Sequence, residues 1–174
     1  MISRLFLFCA LLGSVALTSC DTEGLAINKD YSGATIELAV PASADAGAVA
    51  ITKEGVETKL RESLEDFDIS EDRLQAVGVK DVVARINDPS GEFSFANLTN
   101  VTLMFHSDEL GDIEIASMPN ADGTEATFVV ADSELKEFLL SDKFDAVLTG
   151  ESDRGVPEGV IAEVDVTYEI TAGL

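Results

Sequence analysis

An antiparallel sandwich of two β-sheets with two short helices is the fold class that the sequence predicts, on three observations. The last stretch puts Val160, Ala162, Val164, Val166, Tyr168 and Ile170 on one face and Ile161, Glu163, Asp165, Thr167, Glu169 and Thr171 on the other. Only a period of two separates aliphatics from acids so completely. Asp122-Gly123 stands between two alternating runs, a strong hairpin signal. Turn residues punctuate the chain at intervals of about ten, dividing it into roughly eight or nine short strands.

Taken in order, Asp21 to Gly33 is polar and glycine-containing and reads as a tether, so the domain is expected to start near Ala34. Thr35 to Val40 alternates as a half-buried strand, Pro41 to Gly47 breaks it, and Ala48 to Thr52 reads as another short strand. From Lys53 to Phe67 the apolar residues Val56, Leu60, Leu64 and Phe67 follow helical spacing, with both signs of charge elsewhere. Leu74 to Ile86 reads as one strand interrupted near Lys80-Asp81. Asn87 to Gly91 is turn chemistry, and Phe93 and Phe95 alternate with Glu92 and Ser94 as a strand beyond it.

Val101, Leu103 and Phe105 mark the next strand, Ile113 and Ile115 another, and Asn120 to Gly123 is expected to close a hairpin onto Thr124 to Val130. Asp132 stands where a helix N-cap is expected, ahead of Leu135, Phe138 and Leu139, in a helix ending near Ser141. Phe144 to Thr149 is a strand. Asp153 to Gly159 is a long turn, and the final strand is expected to pair with the one from Phe144. The whole reads as an immunoglobulin-like sandwich or similar, with a half-open barrel as the alternative.

The first residues have a separate logic. Arg4 and the free amino group precede an apolar run from Leu5 to Leu17, followed by small residues, which is the grammar of an export signal. A membrane span needs roughly 20 apolar residues, so this run is short for a permanent helix. Leu17-Thr18-Ser19-Cys20 resembles the lipobox of bacterial lipoproteins. The resemblance covers the first 21 residues and implies cleavage before Cys20, whose thiol would carry diacylglycerol. It divides the chain into a signal peptide (1–19), a lipidated N-terminus and tether (20–33), and one domain (34–174). From Asp132 onward, the order short helix, strand, glycine-containing turn and long alternating strand also resembles the end of uncharacterised β-sandwich lipoproteins of bacterial envelopes. That likeness carries no residue signature and implies no activity.

Composition sets further bounds. The chain carries 33 acidic against 11 basic side chains, a net charge of −22. Loss of Arg4 with the signal would leave ten basic residues and a charge of about −23. Such a field repels nucleic-acid phosphates and anionic head groups, which excludes nucleic acid as a partner and favours solubility or cationic partners. Cys9 falls within the signal and Cys20 at the lipid, so the domain is expected to contain no disulfide.

Candidate chemistry is sparse. His106, the single histidine, lies at a strand end opposite the apolar set, with no Gly-x-Ser-x-Gly elbow and no free thiol to complete a dyad. Carboxylate pairs could do acid–base work, but nothing singles one out, and a chain with no Trp and two Tyr is a poor sugar cleft. Zinc would need clustered Cys or His, which are absent. For calcium, Asn120, Asp122 and Glu125 place three oxygen side chains around Gly123, although they fail the twelve-residue loop pattern and a hairpin turn accounts for them. The sequons at Asn97 and Asn100 are discarded, because tripeptides of this kind are frequent by chance.

The expectation is therefore a protein without cofactor or catalytic residues, held by lipid on Cys20 to a membrane of the bacterial envelope, by preference the outer one. It would be a structural or binding module for another envelope component, facing the periplasm or the cell surface. The alternatives are a carboxylate-based hydrolase and a calcium-dependent adhesion domain.

Overall fold

The computed structural model describes residues 26–141 and 143–173. Ten strands form two antiparallel sheets of five, packed face to face. The strands are β1 (Ala26–Ser32), β2 (Ile36–Ala39), β3 (Gly47–Glu57), β4 (Leu74–Asn87), β5 (Leu98–Ser107), β6 (Gly111–Met118), β7 (Glu125–Thr127), β8 (Val129–Val130), β9 (Lys143–Ser152) and β10 (Ile161–Gly173). Two short helices, α1 (Leu60–Asp66) and α2 (Lys136–Leu140), lie between β3 and β4 and between β8 and β9. The first sheet runs β1-β10-β4-β7, with β2 also on β10, and the second runs β3-β9-β5-β6-β8.

Strand β10 is central in the first sheet. Its whole length pairs with β4, so β1 and β2 share its other edge, one against its C-terminal half and one against its N-terminal half. The alternation read from sequence holds: Ala162, Val164, Val166, Tyr168 and Ile170 are buried, facing the interior with Val77, Val82 and Ala84 of β4. From the second sheet come Leu103, Phe105, Ile115, Ala146 and Leu148. The rings of Phe105 and Phe144 pack with centroids 4.0 Å apart, and Phe95 meets Phe128 edge-on at 6.5 Å. Leu60, Leu64, Leu135 and Leu139 of the helical connections add to the same core.

Several connections differ from the sequence reading, each for a physical reason. The stretch expected to be tether contains β1, because pairing with β10 satisfies its backbone although only Tyr31 of its side chains is buried. The helix expected from Lys53 covers only Leu60 to Asp66. Val56 stays in the sheet opposite Phe144, and its four-residue separation from Leu60 imitates a helical step. At that point Glu54 and Gly55 occupy the space of one partner residue, a bulge in which Gly55 takes φ +65° and donates its N–H to Asp145 Oδ1 at 2.8 Å. Phe93 and Phe95 are fully buried but not in a strand; Phe95 to Asn97 form a 3-10 turn capped reciprocally by Ser94 and Asn97. Asp132 caps nothing, since α2 begins at Lys136 without a side-chain cap.

Two expected hairpins are also redirected. Beyond Asn120 to Gly123 the chain first crosses to the other sheet, where β7 pairs with β4, and only then returns as β8 beside β6. Phe128, buried between them, divides the run that reads as one strand. Likewise β9 and β10 are not partners, because each is a central strand of a different sheet. The connection between them is long enough to cross the roughly 10 Å separating packed sheets, whereas a hairpin uses about two to five residues. The expected break in Leu74 to Ile86 is real: Asp81 faces Thr167 and Val79 faces Tyr168, leaving Lys80 as the extra residue of a bulge.

Among the described residues, one buried side-chain polar atom lacks a partner. Tyr31 stacks on Tyr168 with centroids 4.9 Å apart, and its hydroxyl is buried without a hydrogen bond. Burial raises its pKa far above the usual phenol range. An unsatisfied buried donor destabilises, so Tyr31→Phe is expected to stabilise the domain by about 1 kcal/mol in chemical denaturation, with no change in m-value.

Candidate functional site

The outer faces of the two sheets differ in charge. On the first, Glu37, Glu163, Arg85 and Glu125 form one cross-strand row over β2, β10, β4 and β7. Arg85 pairs with Glu125 at 2.9 Å and with Asp165, which also accepts from the Thr35 hydroxyl at 2.7 Å. Farther along, Asp30 and Glu169 are direct cross-strand partners of like charge. Lys80, placed outward by its bulge, reaches over to pair with Asp30.

On the second sheet two adjacent rows carry almost no charge. One is Thr52, Val147, Met104 and Glu114; the next is Ala50, Thr149, Thr102, Ser117 and Val129. Val129 is 66 % exposed, the most open large apolar side chain described. Charge returns at both ends of this strip, with Asp145, His106 and Asp112 in one row and Glu151 opposite Ala48 in the other.

His106 is thus a surface residue between two acids. Its Nδ1 lies 2.6 Å from Asp112 Oδ1 and its Nε2 lies 3.7 Å from Asp108. The bond to Asp112 raises the imidazole pKa against partial desolvation, with Asp108 and Asp145 adding to it. No nucleophile is among these partners. The calcium candidates are not brought into one site: Glu125 is engaged by Arg85, while Asn120 and Asp122 are exposed. Among the described residues no group of three or more His, Cys, Asp or Glu could hold an ion. Cys20 and the export signal lie outside the described residues. Asn97, at a discarded sequon, is buried and bonded to Asp153 and Ser94.

The loops at one end of the sandwich are tied into a rigid platform. Ser43 and Val156 exchange hydrogen bonds, and Asp153 N–H donates to Asn97 O at 3.0 Å. Gly155 lies so close to residues 43 and 44 that a Cβ there would stand 2.6 Å from Ser43 O. In the neighbouring turn the Asp88 carboxylate accepts from the Ser90 hydroxyl and from the N–H groups of Ser90, Glu92 and Phe93, all at 2.7–2.9 Å. Helices α1 and α2 lie at the opposite end, where β1 begins and β10 finishes.

Unpaired strand edges are the remaining feature. Residues 74–82 of β4 extend beyond β7, but Val77 N–H donates to Glu134, Val77 O accepts from Leu135 and Val82 O accepts from Phe128. Strands β2, β7 and β8 are four, three and two residues long, and β1 carries Lys29 and Asp30. Only β3, eleven residues, presents a long edge with no backbone partner among the described residues. The interior offers no room for a metabolite at the top of the core, where Val40, Ile51, Phe95 and Leu148 line a void of about 10 Å³. No protein-family model matches the chain, and no curated protein matches its sequence.

Two titrations follow from these contacts. The Ser90 hydroxyl and then the backbone donors lower the Asp88 pKa to about 2 against desolvation. A depressed carboxylate stabilises above its unfolded pKa and loses that contribution as pH falls through the folded value. Asp88→Asn is therefore expected to lower the melting temperature at neutral pH, and the deficit should shrink as acidification approaches pH 2. His106, raised instead, should titrate above free histidine by NMR. Asp112→Asn should bring it down.

Proposed function

We propose that this chain is a lipid-anchored binding module of a bacterial envelope, held through Cys20 and recognising another protein rather than transforming a small molecule. The observation that carries the reading is the strip of the second sheet whose two rows hold a single charge, Glu114, with the open β3 beside it, on a chain of net charge −22. A surface so rich in acid elsewhere leaves its neutral area as the part that another protein can cover without desolvating charge.

Five residues, 21–25, separate Cys20 from Ala26, a reach of at most about 22 Å. The anchor would enter beside α1 and α2, so the loop platform and the N-terminal half of β3 would face away from the membrane. No helix among the described residues is long and apolar enough to cross a bilayer. Several acyl chains on one cysteine suffice, at about 0.8 kcal/mol per buried methylene.

The expected outcome is that the full-length protein fractionates with membranes and that Cys20→Ala releases it into the soluble fraction. Membrane attachment unchanged in Cys20→Ala would overturn the anchor. Protease added to intact cells then reports the face: degradation without lysis places the domain at the surface, and protection until the outer membrane is opened places it in the periplasm.

A further inference from the structure

We propose that the edge of β3 from Gly47 to Thr52 is a strand-addition site for an extended, basic segment of another protein; this rests on the reading of the chain as a binding module. Exposed edges normally carry a device that prevents pairing, such as shortness, charge, proline, a bulge or a cover. The other edges described here have one: β2, β7 and β8 are short, β1 is charged, and β4 is covered by the segment from Phe128 to Leu135.

Between Asp45 and Lys53 the sequence is Ala-Gly-Ala-Val-Ala-Ile-Thr, without charge or proline. Ala48, Ala50 and Thr52 are exposed on the outer side, while Ile51 is buried and keeps the strand in the sheet. This stretch is the charge-free part of the open edge. Beyond it the Glu54-Gly55 bulge twists the strand away, which limits an incoming partner to about six residues. A segment added there would hydrogen-bond through its backbone and continue the neutral rows of Val147 and Thr149 with its outward side chains.

Charge selects the occupant. A second copy would bring a net charge of −22 against the same charge, so self-pairing of this edge is opposed by the whole molecule. Acids outnumber the one cation at the ends of the neutral stretch: Asp45 stands before it, Glu151 lies opposite Ala48, and Lys53 and then Glu54 follow it. An uncharged strand flanked by Lys or Arg meets these groups, and the same field steers it in.

The test uses the full-length chain in detergent and a labelled peptide of alternating Val and Thr with two Lys at each end, read by fluorescence anisotropy. Saturable binding is expected, about tenfold weaker for the same peptide flanked by Glu and lost when its central Val residues are replaced by Pro, which removes strand donors without changing charge. Ala50→Lys and Ala48→Lys, both at exposed positions, should each abolish binding while melting as the parent does. Amide perturbations in NMR should centre on residues 47–52. Absence of saturable binding, or equal binding by the Pro peptide or by both folded Lys variants, would overturn strand addition. A dimer of the parent chain that Ala50→Lys dissolves would overturn the basic occupant in favour of a second copy. Cys20→Ala is a control that separates the two proposals, because loss of anchoring leaves this binding unchanged.

Discussion

Pairing on both edges of β10 is the constraint on which the rest of the domain depends. Thirteen residues of this strand hold β1 and β2 on one side and β4 on the other, and its inner row contributes much of the core floor. Because β10 follows every other described strand in sequence, β1, β2 and β4 lack their common partner until β10 itself is present. Its pairing partners are separated from it by as many as 147 residues, from Ala26 to Gly173, a topology rich in contacts that form late and against loop-closure entropy.

What was legible in the sequence is what depends on local alternation. The faces of β10, the fold class, the break at Lys80 and the end of α2 follow from periodicity and turn chemistry, and each is present. Partnership was not legible, since a strand's side-chain pattern records burial and not which neighbour supplies its hydrogen bonds. That is why β9 and β10 read as a hairpin and why Thr124 to Val130 read as one strand. The tether reading failed for the converse reason: Ala26 to Ser32 is a strand chiefly through its backbone, and of its side chains only Tyr31 is buried. Helical spacing at Val56 and Leu60 was a coincidence across a strand-to-helix boundary.

The open edge was visible only in outline. The stretch 46–52 carries no charge, but neither do 38–44, 93–105 and 115–121, and nothing in it says that β3 lacks an outer neighbour. The acidic composition, by contrast, takes on a positional meaning once the sheets are placed. Acids crowd the first sheet, where Lys80 and Arg85 hold like charges together, and stand aside from the middle of the second. If the strip binds as proposed, solubility and selectivity would come from the same residues, since the charge that keeps molecules apart would also decide what approaches it.

The placement of β1 bears on how the domain responds to force. A pull on the residues ahead of Ala26, against a load at the loop platform, runs parallel to β1 and perpendicular to its bonds with β10. Under that direction of tension the seven residue pairs from Ala26↔Gly173 to Ser32↔Thr167 are sheared together and cannot be peeled one at a time. The first strand of the fold is in this sense a mechanical clamp, strongest along the axis by which the chain would be held.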